Sequence, residues 1–215
     1  MSTREGSVPG GLVVAVLVML LLVLGLGGAV VAVKLRPEPL PTDPIAREIV
    51  AWEATLEGAP DDPSAHTGLG LALLKAERTD EARVEFETAM QLDQKAWLAT
   101  FQLALLVKDA SPDRAVELLE QAAKYAPESD LVAPLIALGD LHLSNERYER
   151  AVSAYRRALA FNPFLFDGHF GLGSAYEALG RDADALKEYK EAKRFDPTNA
   201  DVAAAIDRVH ASTGT

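Results

Sequence analysis

Residues 134–163 read PLIALGDLHLSNERYERAVSAYRRALAFNP, and residues 168–197 read GHFGLGSAYEALGRDADALKEYKEAKRFDP. Set 34 positions apart, the two stretches run in register. Leu138-Gly139 matches Leu172-Gly173, Ala151 matches Ala185, and Tyr155 matches Tyr189. Further along, Ala158 matches Ala192, Phe161 matches Phe195 and Pro163 matches Pro197. Self-similarity at this period marks a stacked array of helix–turn–helix units, none of which can bury its apolar face alone. The Leu-Gly pair and the alanines fall where paired helices cross, and small side chains there let the backbones approach to about 8–10 Å. Proline ends each second helix because it lacks an N–H and disfavours α conformation in the residue before it.

The pattern extends upstream. A copy starts at Pro63, with Leu69-Gly70 at the Leu-Gly position, Ala82, Phe86 and Ala89 in the second helix, and Gln94 in place of the final proline. Another starts near Trp97, with Ala104 where glycine is expected, Ala115 and Ala122 in the second helix, and Pro127 closing it. This copy has a shortened inter-helix turn and a few extra residues after Pro127, and is degenerate. Four units result: 63–96, 97–131, 132–165 and 166–198. Phe86, Tyr155 and Tyr189 are expected to pack into the following unit. The chain resembles the tetratricopeptide repeat (TPR) family over most of its length. The resemblance implies an all-α solenoid whose first helices line a concave, partner-binding groove.

Terminal repeats need caps. Residues 199–215 are expected to supply a C-terminal capping helix and tail, with Ala203, Ala204, Ile206 and Val209 on its apolar side. Residues 45–62 are expected to supply an N-terminal cap, with Ile45, Ile49, Val50, Trp52 and Leu56 at helical spacing. Trp52 reads either as core of that cap or as a contact for a partner.

After a short tail, 1–11, residues 12–33 contain no charge and only three glycines. These 22 residues are enough to cross roughly 30 Å of hydrocarbon as a transmembrane helix. The competing reading is a cleaved signal peptide, with Val30-Val31-Ala32 as the cleavage site. Against it, the apolar run is longer than a signal core, and only Arg4, offset by Glu5, precedes it. Lys34 and Arg36 follow the segment, which leans the array towards the cytoplasm. The resemblance to membrane-anchored TPR proteins leans it the other way. Residues 34–44, with Pro37, Pro39, Pro41 and Pro44, read as a semi-rigid extended spacer.

Charge excludes one class of partner. Residues 1–36 hold three basic and one acidic residue, leaving 18 and 31 over 37–215, a net of −13. Nucleic-acid binding depends on basic patches that neutralise phosphate, so an acidic array disfavours it. Basic or amphipathic protein segments remain as partners.

The family's groove positions carry over as Thr67, Leu71, Leu74 and Lys75 in the first repeat, and Leu98, Phe101, Leu105 and Lys108 in the second. In the third they are Ile136, Asp140 and Leu143; in the fourth, Phe170, Ser174 and Glu177. Leu71, Leu74, Phe101, Leu105, Ile136 and Phe170 give the groove an apolar character suited to an apolar or amphipathic segment, or to a subunit of a membrane complex. The family's carboxylate-clamp variant needs lysine and asparagine at positions held here by Thr67, Leu71 and Phe101, and is rejected. Phe161 is expected in the repeat core, and Phe164 and Phe166 at the surface. His66, His142 and His169 are read as packing residues.

No chemistry-bearing motif stands out. There is no His-Glu-x-x-His, no phosphate loop and no cysteine, hence no thiol nucleophile and no covalent c-type haem attachment. The glycine pairs Gly68/Gly70 and Gly171/Gly173 belong to the repeat. No cofactor, metal site or enzymatic activity is expected. The main reading is a single-pass membrane protein presenting a TPR adaptor or assembly scaffold. The alternatives are a chaperone-like factor in c-type cytochrome maturation, which the segment from Ile45 to Leu74 resembles, and an accessory structural subunit of a membrane complex.

Overall fold

The computed structural model describes residues 41–214. The expected tail, membrane helix and most of the spacer therefore lie outside the described residues. Among the described residues no helix is long and apolar enough to cross a membrane.

Helix α1 (Pro44–Gly58) precedes four helix pairs. These are α2 (Pro63–Lys75) with α3 (Thr79–Leu92), and α4 (Trp97–Val107) with α5 (Pro112–Tyr125). They continue with α6 (Val132–Ser144) and α7 (Tyr148–Phe161), then α8 (Phe166–Ala178) and α9 (Asp182–Phe195). A single helix, α10 (Ala200–Thr213), follows. Each helix packs against its sequence neighbours, and α2 also meets α4, as α6 meets α8, so the first helices stand side by side along one face.

Local chemistry sets the starts and turns. Asp43 and Asp62 each precede a proline at the first helical position and cap the next turn, accepting from the N–H of Ala46 (2.7 Å) and Ser64 (2.8 Å). Asn199 caps α10 by accepting from the N–H groups of Asp201 and Val202. In the first, third and fourth pairs the inter-helix turn passes through one left-handed residue: Glu77 (φ 60°), Glu146 (φ 57°) and Gly180 (φ 69°). The next N–H then reaches back to the helix, as Arg78 does to the Leu73 carbonyl and Arg147 to that of His142. The turn between α4 and α5 lacks this residue.

Eight alanines line the second helices at the crossings: Ala82, Ala89, Ala115, Ala122, Ala151, Ala158, Ala185 and Ala192, all fully buried. Between them each aromatic presses on glycines of the first helices. A Cβ on Gly139 would lie 2.6 Å from the Tyr155 ring, and one on Gly171, in the next repeat, 2.4 Å from it. Phe86 crowds Gly70 and Tyr189 crowds Gly173 in the same way. Trp52 crowds Gly68, which is the equivalent of Gly171. This settles the two readings of Trp52: α1 is an unpaired second helix, and its tryptophan fills the aromatic slot of the repeat.

The second pair keeps the complement with different residues. Leu119 takes the aromatic position and Ala104 the glycine position, both buried. A smaller side chain faces a larger one, but a leucine does not fill the space of a tyrosine. A cavity of about 280 Å³ remains there, lined by Ala104, Leu119, Ala137 and Leu141 among others.

Four expectations need correcting. Phe161 is not core: it is 50% exposed, and Leu92 and Phe195, its equivalents at the ends of α3 and α9, are also exposed. The position is the last residue of its helix, past the reach of the next repeat. Phe166 is half-buried and stacked on Phe170, with ring centroids 5.9 Å apart. On α10, Ala204 is exposed and the buried stripe is Val202, Ala205 and Val209, the 3.6-residue period counted from the capped start. His66 and His169 do more than pack. Their Nδ1 atoms meet Glu85 (2.6 Å) and Glu188 (2.7 Å), and their Nε2 atoms meet the carbonyls of Pro60 (2.9 Å) and Pro163 (3.1 Å). Each clamps the loop before its repeat to the second helix.

Candidate partner-binding groove

The first helices α2, α4, α6 and α8 carry thirteen of the fourteen expected groove residues, with Lys108 just past the end of α4, but these do not form one uniform surface. At the N-terminal end, Thr67, Leu71 and Leu98 line a depression of about 400 Å³ with Pro63, Lys95 and Trp97. The Thr67 hydroxyl is spent on its own helix, donating to the Pro63 carbonyl at 2.7 Å. In the centre, Leu98, Phe101, Ile136 and Asp140 meet in a larger depression of about 610 Å³, with Trp97 along its wall. Leu105, Lys108 and Asp140 line the cavity beneath Leu119. Asp140 and Ala137 border both, so the hollow of the degenerate repeat adjoins the central depression.

Other expected positions are engaged from within the chain. Lys75 is paired with Glu48 of α1 at 2.8 Å. Glu177 is held by Arg208 of α10 through two bonds of 2.6 and 2.8 Å and also accepts from the Tyr189 hydroxyl at 2.7 Å. Ser174 donates to the Phe170 carbonyl and accepts from Tyr189. Leu74 and Leu143 lean on the core, and Phe170 packs at 5.6 Å on the Tyr189 ring. Capping helices thus take the two ends of the row, and the free surface is central.

Electrostatics follow the same division. The Arg208 guanidinium holds the Glu177 carboxyl below its usual range. Burial, with Glu177 nearby, pushes the Tyr189 phenol up to about 12. In the centre, desolvation raises the Asp140 pKa despite the bond it accepts from the Tyr155 hydroxyl at 2.6 Å, and the charge of Asp167 raises it further. Burial and Asp140 together drive the Tyr155 phenol far above its ordinary value. Neither tyrosine ionises near neutrality; both act as donors that fix a groove carboxylate.

Trp97, Asp130, Leu165 and Asp167, none of them among the expected groove positions, also line the central depression. Trp97 lies one turn before Phe101, and that spacing was the available signal. The aspartates come from a loop and from the next repeat, and nothing local announces them.

The tetratricopeptide repeat family model matches residues 50–96 and 136–200, more than half of the chain. The chain belongs to the tetratricopeptide repeat family. The span it leaves unmatched contains the degenerate TPR unit, where Ala104 and Leu119 replace glycine and aromatic. Among solved structures, the TPR chain is similar to YrrB, described as a TPR protein with an unusual peptide-binding site. The TM-score is 0.68 at 19% identity, over 76% of this chain and 84% of that one, a likeness of fold. MamA of MSR-1 is 27% identical with a TM-score of 0.60, over 71% of this chain and 87% of that one. A curated relative, the UDP-N-acetylglucosamine–peptide N-acetylglucosaminyltransferase of Giardia intestinalis, is 31% identical over 55% of this chain but only 8% of its own length. The chain spans less than a sixth of the curated relatives first matched. The TPR architecture makes this chain a protein–protein interaction scaffold.

Proposed function

We propose that this scaffold captures a segment of a partner protein along its central concave face, in a binding role without catalysis, and that residues 12–33 tether it to a membrane. The observation that carries the reading is the central depression, where Trp97, Leu98, Phe101 and Ile136 leave apolar surface uncovered by any neighbouring helix among the described residues. Apolar surface gathered in a concavity and bordered by polar groups is the usual form of a peptide site.

Leu71→Asp with Phe101→Asp tests the groove. Capture is lost while the helical circular dichroism signal stays; retained capture moves the site elsewhere. Leu98→Asp, which touches both groove depressions, serves as the milder second variant. The tether and its side are tested by Ser212→Cys in this cysteine-free chain, labelled in intact cells with a membrane-impermeant maleimide. Labelling before lysis places the array outside the cytoplasm, and labelling only after lysis places it inside. Recovery of the chain in the soluble fraction overturns the tether. The number of partners recovered with the full chain separates its possible roles: one stoichiometric partner is the behaviour of a subunit, and many unfolded clients that of a chaperone.

A further inference from the structure

We propose that the central depression takes a cationic amphipathic segment, one that sets a bulky apolar side chain between arginines or lysines; this rests on the groove reading above and names its ligand.

The wall of the depression is apolar, but its polar border is of one sign. Asp130, Asp140 and Asp167 all line it, brought together from the loop before α6, from α6 and from the first turn of α8. Some acidic side chains on the surface find arginines of the same chain, such as Glu81 with Arg78, Asp113 with Arg147, Asp184 with Arg181 and Glu191 with Arg194. At this border none does. Asp140 accepts only from Tyr155, Asp130 only from the Ser129 hydroxyl at 2.8 Å, and no lysine, arginine or histidine lies within 4.0 Å of the three carboxylates among the described residues. Like charges gathered beside low-dielectric surface raise one another's energy: Asp140 feels desolvation and Asp167, and the charge of Lys108, which opposes them, acts from beyond ion-pair distance.

A cation brought from outside relieves that repulsion, and an apolar side chain beside it covers Trp97, Phe101 and Ile136. A guanidinium suits the task because its planar fork pairs with carboxylates and stacks on aromatic faces. An acidic peptide or a nucleic acid meets like charge here, which costs affinity and slows encounter. The hollow under Leu119 adds room next to Asp140 that a regular repeat, with an aromatic in that slot, would fill.

The test uses the full chain and three fluorescein-labelled peptides: one of repeated Arg-Leu-Phe units, one with glutamate for arginine, and one with serine for the apolar residues. The first binds and the other two do not. Raising salt from about 0.05 to about 0.5 M weakens its binding, because the screening length shrinks severalfold. Asp140→Asn with Asp167→Asn weakens it about tenfold and flattens the salt dependence. Asparagine still accepts the Tyr155 hydroxyl, so the fold is kept. Equal binding of the glutamate peptide, or an unchanged affinity in the double variant, overturns the assignment. If Leu71→Asp with Phe101→Asp then still abolishes binding, the groove stands and only its charge preference falls; if that variant also binds, both fall. Lys34→Glu with Arg36→Glu raising the affinity for added peptide would make a segment of this chain the occupant and overturn the external one.

Discussion

The Tyr155 ring occupies the space that any side chain on Gly171 would need, with the ring carbon Cζ 2.4 Å from where a Cβ would stand. The ring is fully buried and its hydroxyl is tied to Asp140, so it cannot swing away. Glycine at this place is a requirement of helix approach rather than of backbone conformation.

Gly171→Ala should therefore cost on the order of 1–3 kcal/mol, as overpacking of a filled core does. Ala151→Leu and Ala185→Leu, at fully buried crossings, should cost a similar amount. Lys187→Ala, on the exposed face of α9, should shift the thermal midpoint very little. Unchanged midpoints in all three core variants would disprove the packing register.

The Ala104–Leu119 pair makes a coupled prediction. Leu119→Tyr alone puts a ring against the Ala104 methyl and should destabilise. Ala104→Gly alone adds backbone freedom in a helix and costs about 1 kcal/mol. Together they restore the glycine–aromatic pair within the repeat, with Ala137 still standing where the fourth repeat has Gly171, so a double-mutant cycle should return a favourable coupling of about 0.5–3 kcal/mol. Additive effects would show that the two residues do not share one space.

Glu146 sits at φ 57° in a turn where the fourth repeat has Gly180. A side chain in that region is strained, whereas glycine is not. Glu146→Gly should raise stability by about 0.5–1 kcal/mol in chemical denaturation. A loss of stability would mean that the glutamate makes a compensating contact.

Two histidines give the fold opposite pH responses. Burial lowers the His66 pKa, but the bonds to Glu85 and to the Pro60 carbonyl outweigh it, and the pKa is raised. Stability from His66 is fully present below its unfolded value of about 6.5 and is lost as pH rises through the folded value. Burial, with Arg150 and Arg147, lowers the pKa of His142, so its contribution is lost as pH falls below about 6.5 towards its folded value. His66→Gln should flatten the alkaline side of the stability profile and His142→Leu the acid side. Identical profiles for the wild type and both variants would refute the assignment.

The small positions were legible because the crossing geometry fixes their spacing: Ala82, Ala151 and Ala185 could be read before any helix was seen. Trp52 was legible in part; counting the aromatic period one step upstream from Phe86 reaches it, but only the contact with Gly68 decides its role. Phe161 misled because periodicity gives an angular position on a helix and says nothing of where the neighbouring repeat stops. The groove was legible as a row of first-helix positions. Its division was not, because the pairs Glu48–Lys75 and Arg208–Glu177 join residues 27 and 31 apart from separate helices. The three aspartates of the central border converge only when two repeats and a loop stack.

Both ends of the superhelix are stoppered. At one end α1 turns Arg47, Glu53 and Glu57 to solvent, and at the other α10 turns out Asp201 and Asp207. A repeat array with bare apolar ends would offer each molecule's last unit to the first unit of the next, a head-to-tail contact that never closes and grows into fibres. These hydrophilic stoppers remove that route, so a concentrated solution of the array should scatter light as discrete particles rather than lengthening polymers.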